Sequence, residues 1–231
     1  MLNNFKFSIL IFTLIAFLSS CSTDPQEEYI LDDILFESDG YRPPDYDAIK
    51  PNNLESVWSD NFANNNRMWT IKNDPNTFKS EIKNGQYHLT SNSSDFAYTF
   101  KQASSLDLNR DFQIQAKIKL NRSKSSGLML ESGDDFLLLM LNTSKQVYVT
   151  HYKNAKYNDV KVVDNFAEPQ STSSFATYTI RKIKDKYYFY INGLYTGIEY
   201  EDQNLGTKLG FFLNADAAMS IDDISVDYIN L

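Results

Sequence analysis

From Val57 onward, apolar residues recur at every second position, and this restricts the fold more than any other feature of the chain. Phe112, Ile114, Ala116, Ile118 and Leu120 alternate with Gln113, Gln115, Lys117 and Lys119. A period of two belongs to a strand with one dry and one wet face. Val147 and Val149 alternate with Gln146, Tyr148 and Thr150, and Tyr178 and Ile180 with Thr179 and Arg181. Phe189 and Ile191 alternate with Tyr188 and Tyr190. Phe136 to Leu141 is apolar on both sides, which predicts a central strand. Asn84-Gly85, Ser132-Gly133-Asp134 and Asn192-Gly193 fall between such runs and suit the positive φ of hairpin turns. Many short strands, frequent turns and no sustained helical period predict an all-β, two-sheet antiparallel sandwich.

The material for its core is aromatic. Tyr and Phe number 15 and 16 in 231 residues, and such side chains favour strands and bury large areas. Disulfides cannot help, because the chain has a single cysteine, Cys21. Residues 21–55 differ from the rest: they hold four of the six prolines (Pro25, Pro43, Pro44 and Pro51) and many acidic residues. Proline stiffens a chain and like charges extend it, so this segment is expected to be a tether. Ile30, Leu31, Ile34, Leu35 and Phe36 within it could make a short helix or a docking patch.

Cys21 closes a leader. Lys6 is followed by an apolar run from Phe7 to Leu18, and Leu18-Ser19-Ser20-Cys21 ends it. A charged start, a short apolar stretch and small residues at the cut make a secretory signal. The last four residues resemble the lipobox of bacterial lipoproteins. That resemblance implies cleavage before Cys21, a diacylglyceryl thioether on its sulfur and acylation of the new amino terminus with a fatty acid such as palmitate. Two or more acyl chains make an anchor stable. Ser22 in place of Asp fits delivery to the outer membrane, with the periplasmic or surface side open. The expected organisation is a signal peptide over 1–20, a lipidated tether over 21–55 and a β-sandwich over 56–231. Removing residues 1–20 takes away Lys6 alone, leaving 21 Lys and Arg against 30 Asp and Glu, a formal charge of −9. That argues against nucleic acid and anionic lipid headgroups as partners, because phosphate binding relies on basic patches.

The order of motifs along 56–229 resembles concanavalin-A-like lectin/glucanase domains, which include laminin-G-like members. Trp58-Ser59-Asp60-Asn61-Phe62 with Trp69 looks like their opening strand, and Ser126-Gly127-Leu128-Met129 like their "G-L-x-F" strand. Tyr187-Tyr188-Phe189-Tyr190-Ile191-Asn192-Gly193 is similar to their hairpin, and Ile221-Asp222-Asp223-Ile224-Ser225-Val226 to their closing strand. The resemblance implies a jelly roll. It does not name an activity, since this superfamily holds binding modules, glycosidases and adhesion domains.

Retaining glycosidases of this fold carry a Glu-x-Asp-x-(x)-Glu strand, and their two carboxyl groups must lie about 5–5.5 Å apart. No such motif occurs here. Glu131 with Asp134 and Asp135 reads as a solvated turn cluster. His88 and His151 have no clustered partners, so neither zinc nor another cofactor is expected. Asp222 and Asp223 with Asp60 could touch a calcium ion, but a polar strand end is the simpler reading. What remains is an outward aromatic stripe. Tyr148, Tyr152, Tyr188 and Tyr190, with Gln113, Gln115 and Arg181 phased to the polar side, would suit a sugar's apolar face and hydroxyl rim. Outward Tyr pairs also simply stabilise sheets. The expectation is therefore a lipid-anchored, non-catalytic binding domain for a polysaccharide. The alternatives are an assembly or adhesion subunit with an envelope-protein partner, and a glycoside hydrolase-like enzyme with carboxylates converging in a groove.

Overall fold

The computed structural model describes residues 49–231, apart from 123–124, 134, 155, 167–173, 202–205, 207 and 231. Residues 1–48, on which the expected leader, Cys21 and most of the expected tether fall, lie outside the described residues. A 3-10 turn, Pro51–Asn53, leads into the strands. They are β1 (Leu54–Asp60), β2 (Lys72–Asn73), β3 (Phe78–Lys83), β4 (Gln86–Ser91), β5 (Ala97–Gln102), β6 (Phe112–Arg122), β7 (Ser126–Ser132) and β8 (Asp135–Leu141). There follow β9 (Val147–Lys153), β10 (Lys156–Val163), β11 (Ala176–Ile183), β12 (Lys186–Ile191), β13 (Leu194–Glu201), β14 (Lys208–Leu213) and β15 (Ala218–Ile229).

They form two antiparallel sheets, so the sandwich expected from the sequence is the fold observed. The nine-stranded sheet runs β13-β12-β11-β6-β15-β4-β3-β2, with β1 also on β15. The six-stranded sheet runs β10-β9-β8-β7-β14-β5. Both hairpin turns read from Asn-Gly carry positive φ at both residues: 55° and 71° at Asn84-Gly85, 51° and 83° at Asn192-Gly193. That is the geometry of two-residue hairpins whose twist matches the strands.

The core lies between the sheets. The inward positions of β6, namely Phe112, Ile114, Ala116, Ile118 and Leu120, are all buried, while Lys117 is exposed. Opposite them, Leu137, Leu139 and Leu141 of β8 and Leu209, Phe211 and Leu213 of β14 belong to the same buried cluster. At one end an aromatic knot closes the layers. Trp69 lies 5.7 Å from Phe62, 5.4 Å from Tyr87 and 5.4 Å from Phe211, ring centre to ring centre. Such pairs add about 0.5–1.5 kcal/mol each beyond their burial.

Two glycines set how closely the six-stranded sheet is drawn together. A Cβ on Gly127 would lie 2.1 Å from the Leu139 carbonyl oxygen, and one on Gly210 would lie 2.0 Å from that of Thr99. Both oxygens belong to the neighbouring strand, so no side chain fits at either place.

Candidate functional site

The seven residues read as a sugar platform fall on opposite outer faces of the sandwich. Gln113, Gln115, Arg181, Tyr188 and Tyr190 come together on the nine-stranded sheet, because β12, β11 and β6 are neighbours in register: Tyr188 is opposite Arg181, and Arg181 opposite Gln113. Tyr148 and Tyr152 lie on the six-stranded sheet. No single surface holds all seven.

The first group is a closed patch. Arg181 donates from Nη2 to Gln113 Oε1 at 3.1 Å, and its guanidinium lies 4.7 Å from the Tyr190 ring centre. Gln113 also bonds the carboxylate of Asp227, opposite it on β15. Burial raises the Asp227 carboxyl above its ordinary range, against the lowering pull of hydrogen bonds from Gln113 and Ser225. Gln115 donates to Thr179 Oγ1 at 3.2 Å. Tyr188 and Tyr190 are 1% and 2% exposed, packed with Ile183, Ile229, Ile49, Leu54 and Tyr195. Rings covered in this way cannot stack on a sugar without movement of the chain at Ile49–Leu54.

The second group sits in a hollow. On the outer face of the six-stranded sheet the alternate residues are Tyr148 and Tyr152 of β9, Phe136, Leu138 and Met140 of β8, Met129 and Glu131 of β7, Lys208 and Phe212 of β14, and Tyr98 and Phe100 of β5. The rings of Tyr98 and Phe136 are 5.2 Å apart, although β5 and β8 are three strands apart. In a flat sheet that interval would be about 14 Å. Phe96, just ahead of β5, reaches within 5.4 Å of Tyr152 on β9. The sheet therefore curls toward this face, which is concave. Met129, Leu138, Met140 and Phe212 form its buried floor. Phe96, Tyr98, Tyr152 and Tyr157 form its rim, with the ring centres of Tyr152 and Tyr157 at 5.1 Å. Tyr98 and Tyr157 are exposed. At the far end Tyr148 donates to Gln146 Oε1 at 2.7 Å and accepts from Asn142 Nδ2 at 3.2 Å.

One carboxylate occupies this hollow. Glu131 is 4% exposed. Its Oε1 accepts from Lys208 Nζ at 2.7 Å, and its Oε2 is buried with no hydrogen-bond partner. The Lys208 ammonium also lies 4.6 Å from the Phe100 ring centre. The reading of Glu131 as solvated turn charge is thus corrected. β7 continues through Ser132, so Glu131 is a strand residue whose side chain points into the hollow. Asp135, one register step beyond, pairs instead with Lys153 at 3.5 Å, and Asp134 lies outside the described residues. A buried carboxylate oxygen without a partner is costly, and at 4% exposure it meets a ligand only if the side chains around it move. Among the described residues of β7, β8, β9 and β14, Glu131 is the only carboxylate on this face.

The other groups singled out in the sequence have structural surroundings. His88 Nδ1 meets Ser220 Oγ at 2.8 Å, and the His151 ring is 6.5 Å from that of Tyr200. Asp60 and Asp223 line one polar cleft of about 490 Å³ with Ser59, Asn61, Arg67 and Ser225. Among the described residues no three His, Cys, Asp or Glu side chains gather as a metal site.

No protein-family model and no curated protein matches the sequence. Solved structures do match the fold. An endo-β-1,3-glucanase from Pyrococcus furiosus is 14% identical, with a TM-score of 0.57 over 77% of this chain and 96% of that one. The catalytic domain of an endo-1,3-β-glucanase (laminarinase) from Thermotoga petrophila is 12% identical, with a TM-score of 0.54 over 77% and 99%. A Bacillus licheniformis β-glucanase is 13% identical, with a TM-score of 0.53 over 77% and 99%. At such identity the likeness establishes the concanavalin-A-like fold. It also corrects the expectation of a non-catalytic binding domain. The three structures named here are glucanases, so the scaffold gives no ground for setting catalysis aside.

Proposed function

We propose that this chain is a glycoside hydrolase-like protein that takes a glycan chain along the concave face of the six-stranded sheet, with Glu131 meeting the substrate. The observation that carries the reading is the buried Glu131 Oε2, which has no partner and points into an aromatic hollow. Sugars present apolar C–H faces that aromatic rings cover, and hydroxyls that a carboxylate accepts. Tyr98, Tyr152 and Tyr157 supply rings at the rim, and Glu131 supplies the acceptor. The names of the neighbours as β-glucanases make β-linked glucans the first substrates to try. Hydrolysis of a glycosidic bond ordinarily employs two carboxyl groups. Glu131 is one such group, placed to act as general acid or base; among the described residues of β7, β8, β9 and β14 no second carboxylate shares its face, so a second carboxyl group must come from elsewhere in the chain.

The test measures binding and cleavage separately on β-1,3- and β-1,3/1,4-glucans. Glu131→Gln keeps the shape of the side chain and removes its charge. Cleavage is expected to fall at least about a hundredfold, the range for loss of a group acting in acid–base chemistry, with the fold unchanged by circular dichroism. Retention of full cleavage and full binding by Glu131→Gln would sink this assignment.

The same proposal places the domain at the cell envelope, held to the outer membrane by acyl chains on Cys21. The leader and its Leu18-Ser19-Ser20-Cys21 ending support this. Metabolic labelling with a fatty acid is expected to mark the wild-type chain and to leave Cys21→Ser unmarked; equal labelling of both would exclude the anchor.

A further inference from the structure

Between β1 and β2 the chain makes a loop that is rigidly held and yet presents its apolar side chains to solvent. Phe62 and Trp69 are buried, and they pin the loop to the core. Trp69 Nε1 donates to Asp60 Oδ2 at 2.8 Å, Trp69 N donates to Asn65 Oδ1 at 2.7 Å, and the Thr70 carbonyl accepts from Tyr87 Oη and Ser80 Oγ, both at 2.7 Å. Between and beyond these anchors Met68 is 75% exposed and Ile71 is 53% exposed, the two most exposed large apolar side chains among the described residues. Met68 also has φ of 54°, a left-handed conformation that costs a non-glycine residue energy and is kept only where the surroundings enforce it.

Cations flank these two side chains. Lys101 Nζ donates to the Met68 carbonyl oxygen at 2.8 Å. Arg67 sits over the Trp58 ring at 5.3 Å and donates to the Ser59 carbonyl oxygen. Lys72 is exposed one residue beyond Ile71. The nearby carboxylates keep their charge but are held by other partners: Asp60 accepts from Trp69 and from the Phe62 amide, Asp74 closes its own turn with Thr77 and Asn76 while also attracting Lys72, and Asp223, across a cleft from Arg67, pairs with Lys117. In a chain of net charge −8, an apolar tip with Arg67, Lys72 and Lys101 around it, against Asp60 and Asp74, is locally more basic than the chain as a whole.

We propose that this tip is a membrane-contact site, with Met68 and Ile71 entering the headgroup region of an anionic lipid surface and Arg67, Lys72 and Lys101 meeting the lipid phosphates. Long cationic side chains cover apolar surface with their stems while their heads stay in water, and each cation near an anionic surface adds about fivefold to binding. Two apolar side chains bind weakly alone. A tethered domain needs only weak contact, because a short linker holds its effective concentration near the millimolar range. That last step rests on the anchoring of Cys21 proposed above; the contact itself does not.

The experiment uses the full chain with Cys21→Ser, which removes the only thiol and any acyl group, and adds Met68→Cys or, as a control, Val160→Cys on β10. Each is labelled with an environment-sensitive fluorophore and mixed with vesicles of phosphatidylcholine, with or without about a third of phosphatidylglycerol. With anionic vesicles the label at 68 is expected to shift to the blue and the label at 160 to stay unchanged. Ile71→Ser in the same background is expected to weaken the response at least about fivefold. Arg67→Gln with Lys72→Gln and Lys101→Gln should weaken it about a hundredfold, three cations at about fivefold each. The proposal is overturned if the two labels respond alike, if neither responds, or if the response at 68 is as strong without anionic lipid. None of these outcomes bears on Glu131 or on glycan cleavage, so the two readings fail independently.

Discussion

Gly127→Ala is expected to remove most or all of the folded state. The new Cβ would be placed 2.1 Å from the Leu139 carbonyl oxygen and 3.0 Å from Met140 Cα, both backbone atoms of β8. A flexible side chain could move aside from such a contact, but a strand held on both edges cannot. β8 lies between β7 and β9, so relief requires the ladder to open on one side or the other. A cost above about 4 kcal/mol is expected, in the range reserved for named steric or cavity mechanisms, against a total stability of about 5–15 kcal/mol for an ordinary domain. Gly210→Ala, whose Cβ would meet the Thr99 carbonyl oxygen of β5 at 2.0 Å, is expected to cost less, because β5 is the edge strand of its sheet and can move outward. Urea titration followed by circular dichroism measures both. A change smaller than about 1 kcal/mol at either position would mean that the strands are free to spread, and the close approach would lose its structural importance.

Trp69→Ala carries the second large effect. Its ring is buried and touches Phe62, Tyr87 and Phe211, and truncating a buried aromatic to alanine costs about 3–5 kcal/mol. The indole N–H to Asp60 adds a hydrogen bond to a charged acceptor, worth about 1.5–3 kcal/mol. Trp69→Phe keeps most of the ring volume and loses that bond, so it is expected to cost less than Trp69→Ala by about 1–2 kcal/mol. Trp69 also fixes the loop carrying Met68 and Ile71, so the alanine variant should become sensitive to proteolysis within residues 61–73 at urea concentrations where the sandwich is still folded. If Trp69→Ala and Trp69→Phe have equal midpoints, the packing of the knot is not what holds this end of the molecule.

The alternation of β6 was fully legible: every apolar member of Phe112 to Leu120 is buried, and the polar members lie on the outer face. Asn84-Gly85 and Asn192-Gly193 announced their hairpins for a local reason, the positive φ that asparagine and glycine tolerate. Alternation tells inside from outside, but not which sheet a strand joins. Tyr148 and Tyr188 are both outward residues by period, and only the strand order puts them on opposite faces. Nor does period reveal what lies over an outward residue. Ile49 and Leu54 pack with Tyr188 and Tyr190 although well over a hundred residues separate them.

Glu131 was misread for a related reason. The Gly133 beside it signals a turn, and charge next to a turn is usually solvated. Its environment is instead built by Lys208 across the ladder from β14 and by the curl of the sheet. The one signal in the sequence was the length of the apolar run after Gly127, which carries β7 past Leu130. Gly127 and Gly210 mark where neighbouring strands approach too closely for a side chain, which becomes visible only when the neighbouring carbonyl oxygens are placed.

The position of β15 has a consequence for how the molecule is made. Its Ile224–Ile229 half pairs with β1 and its Ala218–Ile221 half with β4, while its other edge follows β6. β15 thus zips together the first-made and the middle parts of the nine-stranded sheet. A chain emerging amino terminus first, from a ribosome or a translocation pore, holds β1, β4 and β6 with unpaired edges until β15 has emerged. Contacts so distant in sequence form slowly, and exposed strand edges invite association with other chains while they wait. Assembly of the nine-stranded sheet is therefore expected to wait for β15 rather than to proceed strand by strand, which makes this strand a kinetic checkpoint and an escort for the nascent chain an advantage.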